Sequence, residues 1–252
     1  MSEGAMGAVG GAPETLERFG RQMRIFPVAV SVGAMAGAWA RQENAPAGAT
    51  VVVDHEVSAL GRIGREWKVA PERTLAFATV LRPPLTPEMA DACWLVASLG
   101  VMGGCASVAG AVCSARWPDE VDDAESGDPV AVTKVEIQLG PGQVKAAVAS
   151  VRVDLDQVGV SGAGETDRLL EAILTATDEA AASLAGGPEQ VAEDYERHCA
   201  LVGRRVKLRL LPSGEARGTV KGIDRGGGLE LASATGMVQR VSVDMLRDLV
   251  VV

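Results

Sequence analysis

The sequence predicts an α+β protein that ends in a small β-barrel, and three patterns indicate this class. Short runs of apolar and β-branched residues, at 50–53 and 75–81, are typical of buried strands. Residues 166–185 alternate charged residues with Ala and Leu at a helical period. From residue 204 onward the chain changes to short strand-like segments separated by turns, which is typical of a small barrel.

Composition narrows the classes of function. The chain has 252 residues, which is enough for one large and one small domain. Hydrophobic residues make up 47% and aromatic residues only 3%, so small and β-branched side chains must fill the core. A net charge of −9 argues against nonspecific binding to nucleic acid or to an anionic membrane. We therefore expect an acidic soluble protein with neither partner.

The cysteines predict neither a metal site nor a disulfide framework. No CxxC pair and no histidine at ligand spacing accompanies them, so no metal site is expected. The N-terminus has no Lys or Arg before Arg18 and lacks the apolar core of a signal peptide. These observations predict a reduced, cytoplasmic setting for the four cysteines, Cys93, Cys105, Cys113 and Cys199.

The first half of the chain predicts a tail followed by alternating helices and strands. Residues 1–14 are expected to form a loose tail, and residues 28–40 a packed helix. The strand at 50–53 leads into a loop, and the strand at 75–81 is stopped by two prolines. A longer helix is predicted to begin at Thr86, a good N-cap that precedes a proline and an acidic residue.

The second half predicts a loop, a hairpin and two helices. Residues 119–128 are rich in Asp and Glu and are expected to form an acidic loop. Strands are predicted at 130–139 and 144–155, joined by a Gly-Pro-Gly turn, and helices at 166–185 and 188–200. This pattern divides the chain into a tail, a large domain and a small barrel, at residues 1–14, 15–200 and 201–252.

Two segments carry a family resemblance. Residues 54–67 read DHEVSALGRIGREW, and residues 116–120 read RWPDE. They resemble the Gly-Arg loop (GRGRxGRxW) and the KWPND turn of biotin protein ligases, which are related to lipoate ligases. Three C-terminal segments resemble the family's LGRxV, GxAxGID and GxLxV elements in the usual order, at 201–206, 218–224 and 228–231.

The resemblance implies both a fold and a chemistry. It implies a mixed, mostly antiparallel sheet covered by helices, followed by a small β-barrel of the Src-homology type. Enzymes of the family join a carboxylic acid to AMP and then transfer the acyl group to a lysine of a carrier protein, usually with magnesium. It also implies a homodimer paired through sheet edges, with the hairpin at 130–155 as the candidate edge. No helix-turn-helix precedes the ligase region, so the repressor variant of the family is not implied.

Several candidate site residues follow from the resemblance. Arg62 stands where the family keeps an arginine against the adenylate phosphate, and Arg116, Asp119 and Glu120 occupy the KWPND turn. These four residues are the candidates for a catalytic role. The candidate ligand-binding residues are Gly61, Gly64, Arg65, Trp67, Trp117, Gly33 and Ala34.

The sequence departs from the family pattern where the chemistry takes place. Ala59-Leu60 replaces the first Gly-Arg pair of the loop, and in the turn an arginine, an aspartate and a glutamate replace Lys, Asn and Asp. Arginine and lysine are not equivalent at a phosphate, and Asp119 adds a negative charge there. Val32-Gly33-Ala34-Met35 stands in place of the Ser-Thr pair that recognises the acid. Pro129 stands in place of the catalytic lysine, for which Lys134 or Lys145 is the alternative.

Three hypotheses about function remain open at this point. The first is a diverged homologue that has lost ATP-dependent biotin adenylation and uses its cleft for another ligand or for a regulatory role. The second is a working biotin ligase that acts on a biotin carrier protein, with ATP and magnesium as cofactors. The third is an enzyme of different chemistry on a small carboxylate or phosphate, bound by the retained arginines, with Asp119 or Glu120 as acid or base.

Overall fold

The computed structural model describes residues 14–252, in which two sheets and a helical layer share one core. Residues 1–13 lie outside the described part, so the tail stays a prediction. The strands are β1 Leu16–Arg18, β2 Arg21–Ala29, β3 Thr50–Glu56, β4 Thr74–Leu81, β5 Cys113–Arg116, β6 Glu120–Asp123, β7 Pro129–Gly140, β8 Gln143–Asp154, β9 Arg205–Leu210, β10 Glu215–Ile223, β11 Leu229–Ala232, β12 Val238–Val241 and β13 Leu246–Val251. The helices are α1 Val32–Gln42, α2 Ala92–Ala109, α3 Leu155–Val158, α4 Ala163–Gly186 and α5 Pro188–His198.

The large sheet is mixed and mostly antiparallel, which confirms the predicted fold class. Its strand order is β1-β2-β3-β4-β8-β7-β6-β5. The pair β2 and β3 is parallel, and every other pair in this sheet is antiparallel. Parallel neighbours need a crossover connection, and α1 supplies it between β2 and β3.

The two faces of the sheet pack against different helices. Phe77 and Val151 point to the face that carries α2 and α4. Ala78 and Val148 belong to a second core cluster, which α1 covers from the other side. The parallel pairing of β2 and β3 brings their C-terminal ends together beside the N-terminus of α1, where Gly33, Ala34 and the start of the Gly-Arg loop are found.

Helix α2 is a core helix in spite of its membrane-like composition. The segment Pro87–Ala109 has the length and hydropathy of a membrane span, yet two thirds of its apolar window is buried inside the protein. It lies between the sheet and α4, and its glycines allow a close approach. A Cβ on Gly104 would lie 2.3 Å from Ile173 Cγ1 and 2.6 Å from the Ile173 backbone nitrogen.

The C-terminal strands form a five-stranded antiparallel sheet with the order β12-β11-β10-β9-β13. The chain turns at 212–214, 224–228 and 234–236, each between two of these strands, in line with the strand-and-turn pattern predicted from residue 204 onward. Val206 and Leu208 from this sheet belong to the same core cluster as the helices of the larger part. The domain boundary near residue 200 stays a prediction, because the two sheets share this core.

The structure corrects several element boundaries. The helix predicted at 28–40 starts at Val32, because β2 continues to Ala29 beside β3. The helix predicted from Thr86 begins only at Ala92, after a 3₁₀ turn. The acidic segment at 119–128 is not all loop, since β6 lies inside it. Its acidic composition hid this strand, and Arg116 on the neighbouring strand offsets the charge.

The contact between α2 and α4 gives a stability prediction. Gly104→Ala is expected to lower the free energy of unfolding by about 1–3 kcal/mol, because the new methyl group overlaps the α4 backbone. Urea unfolding followed by circular dichroism measures the change. Gly164→Ala is the matched control, since a Cβ there meets no atom within 4 Å. An equal effect of the two substitutions would contradict this account of the packing.

Candidate functional site

The Gly-Arg loop leaves β3 and folds back on itself. The backbone N–H of Gly61 donates to the carbonyl of Arg65 over 2.8 Å, and that of Trp67 donates to the carbonyl of Ala59 over 2.9 Å. Gly64 has a φ of +75°, in the left-handed region that favours glycine. The backbone conformation of the loop therefore explains why a glycine stands at this position, without a bound ligand.

Arg62 is buried and connects three parts of the structure. Its Nη1 donates to the carbonyl of Leu246 on β13 over 2.5 Å, and its Nε lies 3.3 Å from Asp119 Oδ1. Only 7% of the side chain is exposed, and the same holds for its carboxylate partner. The arginine that resembles a phosphate ligand is thus bound within the protein.

The other two arginines of the site are also paired with carboxylates. Arg65 forms an ion pair with Glu120. Arg116 Nη1 lies 3.3 Å from the same glutamate, and its Nη2 lies 2.6 Å from Asp122 Oδ2. We call these side chains the ion-pair cluster; its members are Arg62, Arg65, Arg116, Asp119, Glu120 and Asp122. Three positive and three negative groups leave the cluster formally neutral beside a cleft of about 200 Å³.

Asp122 is the member of the ion-pair cluster with an unusual titration. Burial raises its pKa from an ordinary 3.8 to about 6, against the opposing effect of Arg116. Its second oxygen, Oδ1, is buried without a hydrogen-bond partner among the described residues. The carboxylate is therefore poorly solvated when ionised.

Trp117 anchors the 116–120 turn to the C-terminal sheet. The indole is 1% exposed, and its Nε1 donates to the carbonyl of Gly227 over 2.9 Å. An indole that is buried and hydrogen-bonded in this way packs the two sheets together. A ligand-binding role of Trp117 stays a prediction, and its indole N–H already donates to the protein backbone.

Gly33 and Ala34 lie in the first turn of α1, close to β8. The hydroxyl of Ser31 caps this helix by accepting from the Ala34 backbone N–H over 3.4 Å. A Cβ on Gly33 would lie 2.5 Å from Ser150 Oγ. The glycine permits this close approach of helix and strand, and the side chains of 32–35 contribute no polar group.

A buried ion pair that the sequence analysis missed lies beneath this helix end. Arg152 donates from Nε and Nη2 to the two oxygens of Glu56, over 2.6 and 2.7 Å. Glu56 Oε1 also accepts the backbone N–H of Val32 over 2.8 Å, at the N-terminus of α1. The signal in the sequence was a lone arginine inside the apolar run of β8, because a buried charge needs a partner of opposite charge.

Neither lysine considered as a replacement lines a cleft near the arginines. Lys134 Nζ lies 2.7 Å from Glu136 Oε1, and Lys145 is exposed near the hairpin turn. Pro129 is the exposed first residue of β7, opposite Asp122 on β6. In the part of the chain that the structure describes, no ammonium group lines the two clefts beside the Gly-Arg loop.

A larger cleft lies on the other side of the Gly-Arg loop, with a volume of about 440 Å³. We call it the Trp67 cleft. It runs from the end of β3 to the start of β4, and the indole Nε1 of Trp67 donates to Thr74 Oγ1 over 3.0 Å. Its walls are formed by Asp54, His55, Glu56, Val57, Ser58, Ala59, Leu60, Glu66, Trp67, Val69, Pro71, Thr74 and Ala76.

Comparisons with known proteins agree with this architecture. Residues 201–244 match the family model of the biotin protein ligase C-terminal domain. Two curated relatives, the bifunctional ligase/repressors BirA of Bacillus spizizenii and Bacillus subtilis, are each 24% identical over 114 residues. This match covers 45% of the chain and 34% of each relative, so it spans about a third of the relatives' length.

Solved structures extend the match to most of the chain. The biotin protein ligase from Aquifex aeolicus, in complex with biotin and ATP, has a TM-score of 0.70 at 17% identity, covering 91% of this chain and 99% of that one. The chain has the fold of the biotin protein ligases. A biotin protein ligase-like protein of unknown function from Silicibacter sp. TM1040 has a TM-score of 0.65 at 16% identity, covering 87% and 94%.

The ion-pair cluster does not fit the triphosphate that a biotin protein ligase activates with magnesium. Each arginine of the cluster already contacts a carboxylate, and a nucleotide would have to displace those carboxylates while adding its own negative charge. Within residues 14–252, no group of three or more His, Cys, Asp or Glu side chains is arranged to hold a metal ion.

The burial of Arg62 gives a stability prediction. Arg62→Met is expected to lower the free energy of unfolding by about 3–5 kcal/mol, because Asp119 is left buried without its partner. Arg65→Met is the matched control with an exposed arginine, and its expected cost is below about 1 kcal/mol. Chemical denaturation measures both values. Equal costs for the two variants would contradict a structural role for Arg62.

The raised pKa of Asp122 gives a prediction about pH. Because its folded-state pKa of about 6 exceeds the ordinary 3.8, this carboxyl contributes stability below the ordinary pKa that is lost as pH rises through 6. The free energy of unfolding of Asp122→Asn, relative to the wild type, should therefore increase between pH 4 and pH 7.

Asp123→Asn is the control for this measurement. Backbone N–H groups of Ser126 and Glu125 lower the pKa of the partly exposed Asp123, so its contribution is present at neutral pH and lost as pH falls. The difference between this variant and the wild type should change in the opposite direction. Parallel pH profiles for the two variants would contradict the assignment.

Proposed function

We propose that this chain is a diverged biotin protein ligase homologue that has lost ATP-dependent biotin adenylation. Its cleft instead binds another small ligand, in a binding or regulatory role. The observation that carries the proposal is that Arg62, Arg65 and Arg116 each pair with a carboxylate of the protein, Arg62 in the interior and the other two in partly exposed positions. An adenylating site needs positive groups that are free to offset the charge of the reacting phosphate.

The substitutions in the 116–120 turn support the proposal because they act on the same three arginines. Asp119 and Glu120 supply the carboxylates for Arg62 and Arg65, at positions where the resemblance implies Asn and Asp. A single altered residue would be ordinary drift. Here the one new acidic group, Asp119, contacts the retained Arg62, and Glu120, which replaces a shorter acidic residue, pairs with Arg65. The turn and the loop therefore form one neutral unit.

The site for the acid substrate is also occupied by a carboxylate of the protein. The N-terminus of α1 is a natural position for an anion, because its backbone N–H groups point outward there. The carboxylate of Glu56 occupies it and is neutralised by Arg152. Without hydroxyl groups at 32–35, this end of the cleft offers little to a biotin-like acid.

Two other functions make different demands on the same residues. A working biotin ligase requires an amine near Arg62, and Lys134 is paired with Glu136 at 2.7 Å. An enzyme acting on a small carboxylate or phosphate requires the arginines to leave Asp119, Glu120 and Asp122. Partners of the ligases, such as a biotin carrier protein, belong to the first of these alternatives.

The proposal predicts the outcome of an adenylation assay. With biotin, ATP and magnesium, release of pyrophosphate should stay at the level measured without protein, because each arginine of the ion-pair cluster is already paired with a carboxylate. The Aquifex aeolicus biotin protein ligase serves as the active control under the same conditions.

A specific pattern of turnover would contradict the proposal. It is biotin-dependent pyrophosphate release that is lost in Arg65→Met and kept in Arg18→Met. Arg18 is a suitable comparison because it pairs with Asp167 on α4, away from the Gly-Arg loop.

A further inference from the structure

A second cleft of about 440 Å³ lies at the opposite end of β4 from the Trp67 cleft. Thr74 at the start of β4 lines the Trp67 cleft, whereas Val80 and Leu81 at its end line this one. Its other walls are the β1–β2 turn, the loop before β3, the segment after β4 and the C-terminal half of α4. We call it the Arg21 cleft. None of the residues that resemble ligase motifs lines it.

Most of the wall of the Arg21 cleft is apolar. Helix α4 contributes three alanines and Leu184, and the segment after β4 contributes Pro83 and Pro84. Because the alanine side chains are short, they leave room beside the helix. The cleft therefore offers space and apolar surface to the hydrocarbon part of a ligand.

The turn between β1 and β2 places an aromatic ring on this wall at an energetic cost. Phe19 and Gly20 link the paired residues Arg18 and Arg21, and their φ values of +53° and +69° lie in the left-handed region. A two-residue hairpin turn of this kind favours Asn or Gly, and a bulky residue is unfavourable there. The apolar character of this end of the cleft is thus kept against the preference of the turn.

The guanidinium group of Arg21 lies in this apolar wall and is not fully hydrogen-bonded. Its Nη2 lies 2.9 Å from Asp178 Oδ2, and a Cβ on Gly48 would lie 3.8 Å from its Nη1, so the group lies between α4 and the loop before β3. Only 9% of the side chain is exposed, and its Nε is buried without a hydrogen-bond partner among the described residues. A buried cationic N–H needs an acceptor, which a ligand in the cleft can supply.

The Arg21 cleft carries more positive than negative charge. Arg82 also lines it and donates only to neutral acceptors, namely the carbonyl oxygens of Ala45 and Lys145 and the side-chain oxygen of Asn44. Among the described residues, Asp178 is the one acidic side chain in the wall, and 52% of it is exposed. Two guanidinium groups therefore accompany one partly solvated carboxylate, and the potential in the cleft favours an anion.

We propose that the Arg21 cleft binds a small carboxylic acid with an apolar body, such as a short-chain fatty acid. The carboxylate accepts from Arg21 Nε and is attracted by the charge of Arg82, while the hydrocarbon packs on Phe19 and the alanines of α4. A volume of about 440 Å³ is in the range of small-molecule sites. The inference does not depend on the proposed function, because it concerns a different cleft.

Isothermal titration calorimetry at low salt with hexanoate, hexan-1-ol and hexylamine tests the inference, since the three compounds share one hydrocarbon body and differ in charge. The wild type should bind hexanoate with a dissociation constant below about 1 mM, at least about tenfold more tightly than the alcohol or the amine. Arg21→Met should weaken the binding of hexanoate at least about tenfold, because it removes the donor and its charge.

Arg168→Met is the matched control. It removes an exposed arginine that pairs with Glu165 on the same helix, outside the Arg21 cleft, so the affinity for hexanoate should stay at the wild-type value. A second variant keeps the test valid if Arg21→Met does not fold. Ala182→Trp adds a bulky side chain on the exposed wall and keeps Arg21, so it should abolish binding while the circular dichroism spectrum stays unchanged.

Three results would overturn the inference. They are a dissociation constant for hexanoate above about 1 mM, an affinity for hexanoate that is unchanged in Arg21→Met or in Ala182→Trp, and binding of hexan-1-ol or hexylamine as tight as that of hexanoate. Pyrophosphate release in the adenylation assay bears only on the proposed function, so the two proposals fail separately.

Discussion

The contacts of one buried arginine hold the candidate site together. Arg62 reaches from the Gly-Arg loop to Asp119 in the 116–120 turn and to the carbonyl of Leu246 in the C-terminal sheet. A buried guanidinium must keep such partners, because leaving either charge alone in the interior costs several kcal/mol. The loop and the turn are therefore fixed by an interaction that also removes the arginine from binding an anion.

Charge is distributed differently on the two sides of the Gly-Arg loop. On one side, the ion-pair cluster combines three arginines with three carboxylates and is formally neutral. On the other side, the Trp67 cleft keeps Asp54 and Glu66 unpaired among the described residues. Between them, Arg152 stabilises Glu56 at the N-terminus of α1.

Local signals were sufficient for much of the fold. The strand at 75–81 is β4, and the turn at 140–142 joins β7 to β8 as predicted. The helix at 166–185 is α4, extended by a few residues at its N-terminus. No strand was predicted at β2, whose last residues were assigned to the helix at 28–40. The sequence analysis also missed β1, β5 and β6, which are short strands without a clear apolar alternation. Such strands are stabilised by their neighbours in the sheet, so their own residues carry a weak signal.

The sequence alone identified the Gly-Arg loop and the 116–120 turn, because each is a short motif that can be read from adjacent residues. It also placed Pro129 where the resemblance implies a lysine. Only the tertiary structure decided what the charges contact: Arg62 bonds to a residue 184 positions away, and Arg152 to one 96 positions away. Ion pairs between distant segments depend on how strands are ordered in the sheet and on which side chains exclude water. Neither is encoded in the spacing of residues along the chain.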